Sequence, residues 1–91
     1  MRTVRVIVSG DIQGVGYRAW TERKATSLGL DGWVRNRRDG AVEAEITGPD
    51  EGVDELLRRL NEGPSGSRIT AVEVTELQTG ASSGFRILPT A

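Results

Sequence analysis

This chain passes from strand-like alternation to a helix-like segment and back, twice over, and few folds accommodate that order. Residues 3–9 alternate, with Val4, Val6 and Val8 on one face. Residues 17–28 are helix-like and stop at Leu28-Gly29, where glycine suits the C′ position. Residues 32–38 are a strand candidate, and Asp39-Gly40 is a hairpin dipeptide. It leads into residues 41–47, where Val42, Ala44 and Ile46 alternate with Glu43 and Glu45. A second helix opens at Gly48-Pro49-Asp50-Glu51, with proline predicted at the first helical position and two acids complementing the dipole. Val53, Leu56, Leu57 and Leu60 form its apolar stripe, and Gly63-Pro64 stops it. Residues 69–77 alternate again, Gly80-Ala81-Ser82-Ser83-Gly84 reads as a loop, and residues 85–88 form a short last strand ended by Pro89. The order is β-α-β-β-α-β with an extra C-terminal strand. It predicts one α+β domain over residues 1–91, a ferredoxin-like split βαβ sandwich with two helices on one face of an antiparallel sheet. Its first and third strands are central. The loop after the first strand then meets the end of the second, which brings Arg18 near Asn36.

That first strand runs into the first helix through Gly10-Asp11-Ile12-Gln13-Gly14-Val15-Gly16-Tyr17-Arg18. A glycine-rich turn at a helix N-terminus is an anion site, because backbone N–H groups converge there and the helix dipole adds roughly half a positive charge. Gly14 and Gly16 supply the dihedrals such a turn needs. Arg18, in the first helical turn, can fold back as a bidentate cation. The chemistry this predicts is recognition of a phosphate-like dianion. The segment from Gly14 to Ala19 also fits G-x-G-x-x-A, with Asp39 about 20 residues on, as in dinucleotide sites. A doubly wound domain needs several parallel strands with crossover helices, however, and 91 residues with two helices cannot supply them.

The composition removes other chemistries. There is no cysteine for disulfides or thiolate catalysis, and no histidine as general base or metal ligand. Twelve basic and thirteen acidic side chains give a net charge of −1, against a non-specific nucleic-acid binder. No long apolar run follows Met1-Arg2-Thr3-Val4-Arg5, and no segment approaches the ~20 apolar residues of a membrane span. The expectation is a cytoplasmic protein without cofactor, metal, membrane or nucleic-acid partner.

Two segments together resemble the acylphosphatase family. Residues 10–18 are similar to its first signature. Gly32-Trp33-Val34-Arg35-Asn36-Arg37-Arg38-Asp39-Gly40-Ala41-Val42, closed by Gly48, is similar to its second. Length, element order and Phe85-Arg86-Ile87 agree, so the resemblance spans nearly the whole chain. It implies hydrolysis of carboxyl-phosphate mixed anhydrides to a carboxylate and inorganic phosphate, by a monomer acting on a small acyl phosphate. It implies that Arg18 binds the phosphoryl group and that Asn36 positions the attacking water. Two positions depart from the pattern. Ile12 replaces a usual valine, and Asp11 stands where a basic or neutral residue is common, placing a negative charge beside an anion site.

Phosphoryl transfer asks a protein mainly for positioning and for stabilising charge on the equatorial oxygens. The amides of Gln13, Gly14, Val15, Gly16, Tyr17 and Arg18, with the Arg18 guanidinium, would do this. A carboxylate leaves without a general acid, and the Asn36 amide can hold water behind phosphorus. Ser9 and Thr21 have no base to activate them as nucleophiles. Arg35, Arg37 and Arg38 read as solvated strand surface able to draw in anions. Asp50, Glu51, Asp54 and Glu55 read as a solvent face. Tyr17, Trp20 and Trp33 read as core or core-edge aromatics. The competing reading is a non-catalytic anion- or RNA-binding module of the same fold. RNA-binding sheets stack bases on central-strand aromatics, and residues 3–9 and 41–47 contain none.

Overall fold

The computed structural model describes residues 1–78 and 83–91. It contains β1 (Arg2–Asp11), α1 (Tyr17–Ser27), β2 (Asp31–Asn36), β3 (Val42–Gly48), α2 (Asp50–Leu60), β4 (Arg68–Leu77) and β5 (Phe85–Ile87). Most of the predicted 80–84 loop lies outside the described residues. Among those described, no helix is long and apolar enough to cross a membrane.

The strands form one sheet in the order β4-β1-β3-β2-β5. β1 and β3 are its inner pair, in register from Arg2 opposite Gly48 to Val8 opposite Val42. Because side chains alternate along a strand, Val4, Val6 and Val8 share a face with Ile46, Ala44 and Val42. All six are buried under the two helices. α2 contributes Val53, Leu56 and Leu60 from its predicted stripe, with Leu57 at the margin. α1 buries only Tyr17, Thr21 and Ala25, one residue per turn. Thr21 satisfies its hydroxyl by donating to the Tyr17 carbonyl (2.8 Å), so a polar side chain sits in the core without an open donor.

Three expectations change. The sheet is mixed, because β5 runs parallel to β2. Leu77, Thr3, Thr47 and Asp31 align across the sheet, so β4 ends where β2 begins. β5 starts at that end, with Phe85 opposite Gly32, and runs alongside β2. The Asp31 carboxylate receives the Gly84 N–H there (2.8 Å), and Gly32 N–H donates to the Gly84 carbonyl (2.9 Å). Pro49 precedes α2 rather than starting it. Its extended backbone (φ −61°, ψ 148°) is that of a capping residue, and its carbonyl accepts the Val53 N–H at 3.0 Å. Trp33 is opposite Glu45 and Arg86, on the face the helices leave open, so it is not a core aromatic. Arg35 covers its ring at 4.9 Å from the centroid.

Candidate active site

The turn between β1 and α1 has the geometry its glycines predicted. Gly14 (φ 86°) and Gly16 (φ 79°) both occupy the left-handed region. Gly16 caps α1, no side chain bonds the cap, and no acid stands in the first turn. The helical ladder starts with Trp20 N–H on the Gly16 carbonyl (2.9 Å), and among the described residues the amides of residues 13–19 have no backbone acceptor, at the positive end of the dipole. Tyr17 anchors this end from below. Its phenol, 2% exposed, donates to the Leu60 carbonyl at 2.7 Å and so ties α1 to α2. Burial pushes that phenol's pKa up.

A cleft of about 300 Å³ opens above the turn. Gln13, Gly14, Gly16, Tyr17, Arg18 and Asn36 line it together with Ile12, Ala19 and Ile87. Asn36 reaches it because it lies opposite Val42, in the helix-side row of the sheet, at the end nearest the turn. Among the described residues, neither the Arg18 guanidinium nor the Asn36 carboxamide makes a hydrogen bond or ion pair. A cation with five donors and an amide with both functions therefore meet in one cleft with their polar atoms uncommitted.

Backbone contacts hold the segment after Asn36. Arg37 N–H donates to the Ala41 carbonyl (2.8 Å) and Gly40 N–H to the Arg37 carbonyl (3.1 Å), closing the β2–β3 hairpin. Ala91 lies on the other flank, donating to the Asn36 carbonyl (3.0 Å) and accepting from Arg38 N–H (2.8 Å). The Gln13 side chain crosses from the turn to the hairpin. Its Nε2 donates to the carbonyls of Arg37 (2.9 Å) and Ala41 (3.0 Å).

Among residues 13–18, Val15 alone does not line the cleft. Its side chain packs against the core. Asp11 is exposed at the end of β1 opposite Arg68 and is not a lining residue either, so its carboxylate does not stand in the anion cleft. Arg35 is held by Glu43 (2.8 Å) and Arg37 by Asp39 (2.9 Å), so carboxylates offset two of the three arginines expected to attract anions. Asp54 pairs with Arg2, and Glu55 with Arg58 and Arg59. Among the described residues, no cluster of three or more acidic, histidine or cysteine side chains could hold a metal ion. Sequence reasoning missed Ile87 and Ala19 as lining residues. Only the parallel pairing of β5 on β2 shows that a C-terminal isoleucine reaches this end of the sheet.

The fold and cleft define a small ferredoxin-like α+β protein with an open strand–helix turn at one end of its sheet. A family model described as acylphosphatase matches residues 4–87, and the chain belongs to the acylphosphatase family. It is 49% identical over 88 residues to an acylphosphatase of Mesorhizobium japonicum, covering 96% of this chain and 94% of that protein. Among solved structures it is similar to an acylphosphatase from Bacillus subtilis (TM-score 0.93, 35% identity, 97% of this chain and 99% of that one). It is similar also to one from Coxiella burnetii (TM-score 0.92, 34% identity, 96% and 92%).

Proposed function

We propose that this cleft hydrolyses small acyl phosphates to a carboxylate and inorganic phosphate. The phosphoryl group sits over the amides of residues 13–18, with the Arg18 guanidinium bridging two of its oxygens. Asn36 holds a water in line behind phosphorus, accepting one of its hydrogens on Oδ1. The water oxygen bonds to phosphorus as the bond to the acyl oxygen breaks, and the bonding pair leaves on the carboxylate. The water's surplus proton passes to a phosphoryl oxygen, so the products are the carboxylate and dihydrogen phosphate. No protein base is required, in keeping with a chain that has neither histidine nor cysteine.

The observation that carries this reading is the meeting of Arg18 and Asn36, both uncommitted, beside an uncapped helix N-terminus. Family membership supports the same reaction. The enzyme acts as a cytoplasmic monomer of one domain, without metal or nucleic acid; a net charge of −1 and locally paired arginines support the last point. Release of inorganic phosphate from acetyl phosphate tests the proposal. Turnover well above the uncatalysed rate is expected, and a folded protein that binds phosphate but releases none would identify a non-catalytic anion-binding module instead.

A further inference from the structure

We infer that the Gln13 side chain is a positioning residue that fixes the phosphate turn against the strand end carrying Asn36, an inference that rests on the roles proposed above. Nε2 has two hydrogens, and both are used, one on the Arg37 carbonyl and one on the Ala41 carbonyl. Those acceptors lie 24 and 28 residues away in sequence, and Arg37 directly follows Asn36.

The hairpin does not need this amide for its own hydrogen bonding. The Arg37 carbonyl already accepts from Gly40 N–H and the Ala41 carbonyl from Arg37 N–H. The Asp39 carboxylate further takes the Ala41 N–H (3.0 Å). What Gln13 adds is a tie between two separately folded elements. One element places phosphorus and the other places water, and in-line attack depends on the distance and angle between them. Methionine matches the length without a donor, glutamate replaces the donors with charge facing two carbonyls, and asparagine is one methylene short. Of the four, glutamine alone presents two neutral donors at that reach.

The test is kinetic. Gln13→Met, Asn36→Ala and the double variant are assayed on acetyl phosphate for kcat, and with inorganic phosphate as inhibitor for the state of the turn. Because the turn's backbone is set by Gly14, Gly16 and the start of α1 rather than by the Gln13 side chain, Gln13→Met leaves the phosphate inhibition constant within about threefold while kcat falls about 10- to 100-fold, the scale of a misplaced reactant. Since Gln13 acts through Asn36, adding Gln13→Met to Asn36→Ala costs less than about twofold more. A Gln13→Met kcat within about twofold of wild type, beside a crippled Asn36→Ala, overturns the positioning role alone. So does a Gln13→Met penalty that persists in full in the Asn36→Ala background. Wild-type turnover by Asn36→Ala overturns the roles proposed for the cleft, and this inference with them.

Discussion

Arg18 has no carboxylate partner among the described residues, whereas Arg2, Arg35, Arg37 and Arg59 each have one. An arginine with no such partner, in the first turn of a helix whose cap makes no side-chain bond, suits an external anion. Arg18→Ala is expected to lower kcat/KM by about 10²-fold or more, the cost of losing a preorganised donor. Arg18→Lys should remain strongly impaired, because a point charge lacks the planar fork. Assaying both variants on acetyl phosphate checks this. Asn36→Ala should instead reduce kcat and spare inhibition by inorganic phosphate, since an amide holds water without supplying charge. Parallel loss of both would make Asn36 a binding residue. That Arg18 and Asn36 meet was legible because the split βαβ topology brings the turn after β1 to the end of β2, while the role expected of Asn36 came from the resemblance. The Gln13 side chain's tie was not legible, because its partners are backbone carbonyls brought near only by the tertiary fold. Asp11 stayed open in the sequence between a charge facing the anion and a turn residue facing solvent; strand pairing sets it opposite Arg68, outside the cleft lining.

At the scale of elements, α2 was legible from its stripe of Val53, Leu56 and Leu60, and the hairpin from Asp39-Gly40. α1 carries almost no apolar stripe. Its buried line of Tyr17, Thr21 and Ala25 is small or polar, so glycines at its ends marked it better than periodicity. Its attachment relies on the Tyr17 phenol. Tyr17→Phe leaves the Leu60 carbonyl without that donor and should destabilise the protein by about 1–3 kcal/mol, read from the denaturant midpoint. The same phenol makes stability fall in alkali. Burial raises its folded-state pKa, so its contribution is complete below the unfolded value of about 10 and is lost as pH rises beyond it. Unfolding curves of wild type at about pH 8 and about pH 11 should diverge more than those of Tyr17→Phe. Equal divergence would remove Tyr17 as the cause. It is the only tyrosine in the chain, so tyrosinate absorbance reports the titration directly.

Across the whole molecule, hydrophobic patterning showed the element order and the split βαβ topology put β1 and β3 inside, but the direction of β5 followed from neither. A three-residue strand has too few side chains to show a pattern, and its direction depends on where β4 releases the chain. That strand bears on the site, since it brings Ile87 to the cleft. The chemistry available to the molecule is narrow in turn. With no histidine or cysteine, and no acidic cluster among the described residues, activity should survive prolonged chelation and thiol-modifying reagents. Loss of turnover restored by added Mg²⁺ or Zn²⁺ would contradict that.

The central claim is that a water held by Asn36 attacks phosphorus while the acyl carboxylate departs. Hydrolysis of acetyl phosphate in heavy-oxygen water, followed by mass analysis of both products, tests it most directly. Attack at phosphorus places the solvent oxygen in the inorganic phosphate and leaves the acetate unlabelled. Enzyme-dependent label in the acetate would show attack at the carbonyl carbon, and the roles assigned to Arg18 and Asn36 would be wrong.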